Sequence, residues 1–180
     1  ENYIFAAVSG VKLSSDNGST WISANNGLTN TSVNYIKIYD SKLYAGTFGG
    51  LFLSTNNGSS WNLISQTLPF NIINDFEVRN DTIYAATSGG GVYMSMDNGN
   101  NWSHISQETI FTNPTVVTTK GNKLFAPFYG DGLYSTTNNG LNWTMPKSGF
   151  PERSLVYTLS AKDNLLFAGF IEDGIYKSTD

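Results

Sequence analysis

One eight-residue segment constrains this chain more than any other feature, because it occurs four times at a nearly constant interval. It reads Ser14-Ser15-Asp16-Asn17-Gly18-Ser19-Thr20-Trp21 in the first copy and Ser54-Thr55-Asn56-Asn57-Gly58-Ser59-Ser60-Trp61 in the second. It returns as Ser95-Met96-Asp97-Asn98-Gly99-Asn100-Asn101-Trp102 and as Thr136-Thr137-Asn138-Asn139-Gly140-Leu141-Asn142-Trp143. Gly18, Gly58, Gly99 and Gly140 lie 40, 41 and 41 residues apart, and all four tryptophans of the protein close a copy. A fifth copy opens at Ser178-Thr179-Asp180. A fixed period of this size marks a repeat architecture in which each unit stacks on the next.

The rest of the period repeats as well. An apolar run ending in small residues precedes each segment, as in Leu43-Tyr44-Ala45-Gly46 and Leu166-Phe167-Ala168-Gly169. A glycine turn follows, then a second run such as Gly50-Leu51-Phe52-Leu53. Short runs rich in β-branched and aromatic residues, bounded by Gly, Asn and Asp, read as strands. An outer strand follows each Trp, and a longer loop leads to a fourth strand (Val33–Asp40, Ile72–Val78, Thr115–Thr119 or Leu155–Ala161). No stretch carries a 3.6-residue period long enough for a helical repeat. The pattern therefore predicts an all-β fold: a β-propeller of four-stranded antiparallel blades. We label the strands A to D from the axis outward. The copies span roughly 1–32 (partial), 33–70, 71–113, 114–154 and 155–180 (partial), three complete blades flanked by two partial ones. They form one domain or, as the unmatched ends and the opening Glu1 suggest, a segment of a longer propeller.

The repeated segment has a physical logic. The Asp or Asn side chain accepts hydrogen bonds from backbone N–H groups a few residues on and closes the C–D turn. Gly two positions later supplies a positive φ. The Ser or Thr two residues earlier adds a local hydrogen bond, and Trp opens the next strand with a large apolar contact. The pattern S/T-x-D/N-x-G-x-T/S/N-W resembles the Asp-box, or bacterial neuraminidase repeat, family. The matching positions are Asp16, Gly18 and Trp21; Asn56, Gly58 and Trp61; Asp97, Gly99 and Trp102; Asn138, Gly140 and Trp143; and Asp180. Asn56 and Asn138 depart from the family by carrying an amide. The resemblance implies a propeller but not a function, since the family includes sialidases, xyloglucan-cleaving glycosidases, sortilin-like receptors and photosystem assembly factors.

Composition narrows the partners. With 13% charged residues, a net charge of −4 and no basic run, the surface suits neither nucleic acid nor anionic lipid. No apolar stretch reaches the length of a membrane span, so no membrane insertion is expected. The absence of cysteine removes disulfides, thiolate catalysis and Cys-based zinc sites.

Candidate chemistry is sparse. The resemblance implies that a sialidase needs three arginines on its substrate carboxylate, and this chain has only Arg79 and Arg153. Glycosidase chemistry needs two carboxyls facing across a cleft. Asp131 and Asp173, in B–C turns where earlier copies carry Gly49 and Gly90, are the weak candidates, although Asp-Gly is also simply a good turn. His104, the single histidine, reads as a solvated edge residue rather than a zinc ligand or triad member. The turns lack the carboxylate density of calcium loops, so no metal and no cofactor is expected. Six N-x-S/T sequons occur, and four follow from the repeated segment itself, so they carry no argument for glycosylation.

Function is therefore expected on the face where the sequence departs from its own repeat. In a propeller the B–C and D–A loops share one face. There the variable residues are Phe48, Ser88, Phe128-Tyr129-Gly130-Asp131 and Phe170-Ile171-Glu172-Asp173, with Leu68-Pro69-Phe70, Phe111 and Phe150-Pro151-Glu152-Arg153 in the D–A loops. Aromatics beside acids suit a glycan or a protein ligand, and Phe128, Tyr129, Asp131, Phe170, Glu172 and Asp173 are the expected contacts. The competing reading is that each aromatic packs between blades. The chain reads as a non-catalytic recognition or scaffold module, extracellular, at the cell surface or periplasmic. A glycoside hydrolase fragment and an assembly factor are the alternatives. Further repeats of the chain or another subunit are expected at the two exposed ends.

Overall fold

Each copy of the repeat folds into its own small sheet, because every strand is joined to the next by a turn too short for anything but an antiparallel hairpin. The structure, a computed structural model, describes residues 3–106, 113–129, 132–145 and 155–179. The first sheet contains β1 (Ile4–Ala7), β2 (Val11–Ser14) and β3 (Ile22–Ser23). The second is four-stranded: β4 (Val33–Tyr39), β5 (Lys42–Thr47), β6 (Gly50–Ser54) and β7 (Asn62–Leu63). The third repeats it with β8 (Ile73–Arg79), β9 (Thr82–Thr87), β10 (Gly91–Ser95) and β11 (Ser103–His104). The fourth has β12 (Thr118–Lys120), β13 (Lys123–Phe128) and β14 (Gly132–Thr136), with strand D reduced to one bridge, Ser135–Thr144. The fifth has β15 (Val156–Lys162), β16 (Leu165–Phe170) and β17 (Gly174–Ser178). This is an all-β partial propeller with the expected strand order.

Local chemistry sets the hairpins. The A–B turns Asp40-Ser41 and Asn80-Asp81 both have positive φ at their two central residues (47° and 59° in each). That is the type I′ geometry whose twist matches the flanking strands, and Asn and Asp tolerate it best. Strand A of the second, third and fifth blades carries a bulge at the same place, between Val33 and Tyr35, Ile73 and Asp75, and Val156 and Thr158.

A blade this small cannot bury both its faces alone, so the cores lie between blades. Four clusters serve the four junctions. Val11, Ala24, Leu43, Phe52 and Trp61 join the first blade to the second, and Tyr44, Leu51, Ile73, Phe76 and Tyr93 join the second to the third. Val92, Ile105, Val117, Leu124 and Phe128 fill the third junction, and Phe125, Leu133, Val156, Leu166 and Phe170 the fourth.

Two rows of hydrogen bonds tie the junctions. On the outer side, Trp61 Nε1 donates to the Ala24 carbonyl of the preceding blade at 2.8 Å and Trp143 Nε1 to Ile105 at 2.7 Å, while Trp102 Nε1 divides its bond between its own Gly99 carbonyl at 3.0 Å and Ile64 of the preceding blade at 3.3 Å. On the inner side, the bulge residue reaches forward: Asn34 Nδ2 donates to the Ile73 carbonyl at 3.0 Å and Asn74 Nδ2 to Pro114 at 2.9 Å. Thr115 Oγ1 donates likewise to Val156 at 3.4 Å. A bulge re-aims a side chain, and here it re-aims it across the junction. The tryptophan, expected only to open strand D, is thus a latch between blades.

Candidate functional site

The B–C corners of the second to fifth blades are built the same way. The first residue of each donates its N–H to a carbonyl just ahead of strand A: Phe48 to Ser32 at 3.1 Å, Ser88 to Ile72 at 3.0 Å, Tyr129 to Asn113 at 3.1 Å and Ile171 to Leu155 at 3.3 Å. In the first blade, which has no strand A among the described residues, Val8 holds this position and donates to Gly10 at 2.9 Å. With the backbone so tied, the side chain projects into solvent. Val8, Phe48, Tyr129 and Ile171 are 60%, 52%, 67% and 58% exposed. Four of the five equivalent positions therefore present an apolar group that no junction uses, on the face where the sequence departs from its repeat. Exposed apolar side chains arrayed at one level of a rigid frame are the usual raw material of a binding surface.

The remaining expected contacts divide. Phe128 and Phe170, anticipated as contacts, are corrected by the structure: both are buried, at 2% and 8% exposure. Phe128 meets Tyr134 and Trp143 edge-on at centroid distances of 6.0 and 5.8 Å, and Phe170 meets Tyr176 at 5.0 Å. The reason is where strand B ends. β13 and β16 run to Phe128 and Phe170, where earlier copies carry buried Thr47 and Thr87, and only the following residue lies on the corner. Glu172 and Asp173 are exposed beside Ile171. Asp131 lies outside the described residues, as do Phe111, Phe150, Pro151, Glu152, Arg153 and Asp180. Phe70 is 37% exposed and lies over the next blade's B–C turn, where a Cβ on Gly90 would come within 2.2 Å of its ring.

His104 is not a solvated edge residue. It pairs with Tyr93 across strands C and D, so its ring stacks on the phenol at a centroid distance of 4.7 Å. Its Nε2 is 3.1 Å from Ser106 Oγ, and burial holds its pKa below the ordinary histidine value, partly countered by a hydrogen bond to the Gly90 carbonyl. Among the described residues no group of three His, Cys, Asp or Glu is placed to hold a metal ion.

The opposite face carries the repeated C–D turns. In the first, Asp16 Oδ1 accepts from the Thr20 N–H at 2.8 Å and the Ser14 hydroxyl at 2.7 Å, and Oδ2 accepts from the Thr20 hydroxyl at 2.6 Å. The Gly18 N–H donates to Ser14 Oγ at 2.8 Å. These donors, Thr20 first, lower the Asp16 pKa to about 2. Asp97 is lowered in the same way, by the Asn101 backbone and side-chain amides and then the Ser95 hydroxyl. Asn56 and Asn138 accept the equivalent bonds from Ser60 N–H and Asn142 N–H at 2.9 and 3.0 Å. In all four turns the Oδ1 atom accepts a backbone N–H from four residues on within the same turn.

A cluster that sequence reasoning missed lies on the inner strands. Asp75 is 1% exposed and pairs with Lys37 of the preceding blade at 2.9 Å, while its Oδ2 accepts the Val117 N–H of the following blade at 3.0 Å. Lys37 also donates to the Phe76 carbonyl and lies 3.6 Å from Glu77. One carboxylate thus ties three consecutive blades. Lys37 and Glu77 occupy the same register in successive A strands, opposite Tyr44 and Tyr84, and that opposition of charge was the available signal.

The comparisons with known proteins agree with this architecture. The family model of the DUF6242 beta propeller domain matches residues 54–173. No curated protein sequence matches the chain. Among solved structures it is similar to an ancestral GH74 enzyme, at 22% identity and a TM-score of 0.72 over 93% of this chain and 25% of that one. The extracellular domain of BT4673 from B. thetaiotaomicron superposes at 16% identity and a TM-score of 0.76, over 98% of this chain and 25% of that one. YCF48 bound to D1 peptide does so at 14% identity and a TM-score of 0.68, over 94% and 57%. The chain spans a quarter of the first two and little more than half of the third. At such identities the likeness is one of fold.

Proposed function

We propose that this chain, which belongs to the DUF6242 beta propeller domain family, is a non-catalytic recognition module whose ligand lies on the B–C/D–A face. The observation that carries the reading is the row of equivalent corner residues, Val8, Phe48, Tyr129 and Ile171, held rigidly by their own backbone and needed by no core. Tyr129, Phe48 and Ile171 supply apolar platforms for a sugar ring or a peptide side chain. Glu172, Asp173 and Asp131 accept hydrogen bonds from its hydroxyls or amides. The C–D turns are Asp-boxes in this reading and have a structural role only. The five blades are a segment of a longer propeller in a secreted, periplasmic or cell-surface protein. The extracellular domain among the similar folds and the exposed outer faces of the first and fifth blades support that placement.

The test is a glycan and peptide array, followed by titration of any hit against a Tyr129→Ala/Asp131→Ala variant and a Phe48→Ala variant. Loss of binding with an unmoved thermal transition is the expected result. Binding that survives both changes, or that maps to the C–D turns, places the ligand elsewhere. A second reading, a glycoside hydrolase fragment with Asp131 and Asp173 as its acids, draws support from the fold it shares with the ancestral GH74 enzyme. Hydrolysis of a β-glucan that is lost on changing either acid would promote it.

A further inference from the structure

Five Asn-Gly pairs occur in the chain, and the fold treats four alike and one differently. Asn-Gly is the most labile amide sequence because glycine has no side chain to keep its backbone nitrogen from the asparagine carbonyl carbon, and asparagine is a thermolabile residue for this reason. Asn17-Gly18, Asn57-Gly58, Asn98-Gly99 and Asn139-Gly140 all sit in the repeated turn. There the glycine N–H donates to the turn's own hydroxyl, Ser14, Ser54, Ser95 or Thr136, at 2.8, 2.9, 2.8 and 3.0 Å. The four asparagines are locked at φ of 58°, 54°, 57° and 53°. The attacking nitrogen is therefore engaged in each of the four.

Asn26-Gly27 lies in the D–A loop of the first blade, and both residues are exposed. Asn26 is not among the residues with positive φ, and the Gly27 N–H makes no hydrogen bond among the described residues. The Asn26 side chain is tethered only by a long 3.4 Å bond to the Ser59 carbonyl. We infer that Asn26 is a site of spontaneous deamidation, and that the turn hydroxyls shield the other four pairs. The Gly27 nitrogen attacks Asn26 Cγ, a C–N bond forms, and ammonia leaves. Water then opens the resulting succinimide at either carbonyl to give aspartate or isoaspartate. The site lies on a junction: the Asn26 carbonyl accepts the Trp61 N–H of the second blade at 2.9 Å. Isoaspartate inserts a methylene into the backbone there, and the modification loosens the first blade's outer joint.

The experiment incubates the folded chain in mildly alkaline buffer and follows each asparagine by fragment-ion peptide mapping with isoaspartyl labelling. Asn26 should convert at least about ten-fold faster than Asn17, Asn57, Asn98 or Asn139, since each of those must first open its turn. In concentrated urea the five rates should converge. Ser95→Ala should raise the Asn98 rate by about ten-fold in the folded protein while Ser95→Thr leaves it unchanged, the lost hydroxyl being worth that factor. Thr136→Val makes the same deletion in the fourth blade if Ser95→Ala fails to fold. Amide exchange at Trp61 should quicken in the aged protein. Equal rates for all five pairs in the folded chain, or an Asn98 or Asn139 rate unmoved by loss of its hydroxyl, would overturn the inference. Unchanged Trp61 exchange in fully converted protein would overturn the link to the joint.

Discussion

The first and second copies of the repeated turn are chemically almost the same, yet their tryptophans live in different worlds. Asp16 and Asn56 accept equivalent bonds from Thr20 and Ser60, and Gly18 and Gly58 both donate to a serine hydroxyl. Trp61 is 3% exposed, with its indole N–H on the preceding blade. Trp21 has no preceding blade among the described residues; it is 42% exposed and its N–H folds back on its own Gly18 carbonyl at 3.0 Å. The glycines tell the same story. A Cβ on Gly99 or Gly140 would come within 2.3 or 2.1 Å of a backbone oxygen of the blade before it, whereas one on Gly18 would meet nothing nearer than the Trp21 ring at 3.8 Å. The turn is a local device, complete within eight residues. The joint is a property of two blades.

The largest expected effect separates these two roles. Trp61→Ala should cost about 3–5 kcal/mol, because it empties a closed junction core and orphans the Ala24 carbonyl, while Trp21→Ala should cost under about 1 kcal/mol. Urea denaturation of both variants is the check, and equal losses would mean that Trp21 is covered in solution by something that occupies the place of a blade.

The inner joints permit a smaller version of the same comparison. Asn74 sits on the strand A bulge and reaches the Pro114 carbonyl of the next blade, whereas Tyr157 holds the equivalent bulge in the fifth blade and is 67% exposed. Asn74→Ala should destabilise by about 1 kcal/mol and Tyr157→Ala by no more than about 0.5 kcal/mol. A large effect at Tyr157 would show that the fifth blade, too, has a neighbour.

The smallest effect distinguishes turns that carry Asp from those that carry Asn. Donated hydrogen bonds favour the charged form of Asp16 and Asp97 and depress both pKa values in the folded chain. Their contribution is therefore complete above the unfolded value near 3.8 and is lost as pH falls toward the Asp16 value of about 2. Stability measured across this acid window should fall in the wild type and flatten in an Asp16→Asn/Asp97→Asn double variant, since Asn56 and Asn138 do not titrate. An acid limb unchanged by the double substitution would assign it to groups outside these two turns.

Much of the fold was legible because a repeat states its pattern several times. Strand order and the bonding within each C–D turn depend on residues a few positions apart, and the period made them readable. The candidate face was legible in part: Tyr129, an expected contact, is exposed, and so is Ile171, which was not among the expected contacts. Phe128 and Phe170 are not, because one more residue of strand turned them inward, and strand ends are set by pairing rather than by composition. His104 was misjudged for a similar reason, since its environment is the Tyr93 ring across the sheet.

The sequence by itself determined what each blade is, because a blade's hydrogen bonds close within some forty residues and its turns carry their own donors and acceptors. Only the tertiary structure decided what each blade touches. Trp61 as a latch and Asp75 as the tie among three blades both depend on groups supplied from 37 to 42 residues away. The physical reason is that a blade's two faces are equally apolar in sequence, and burial is assigned only when a neighbour arrives. At β10 both faces are covered and every residue is buried; at β17, the same strand of the last blade, four of five are exposed.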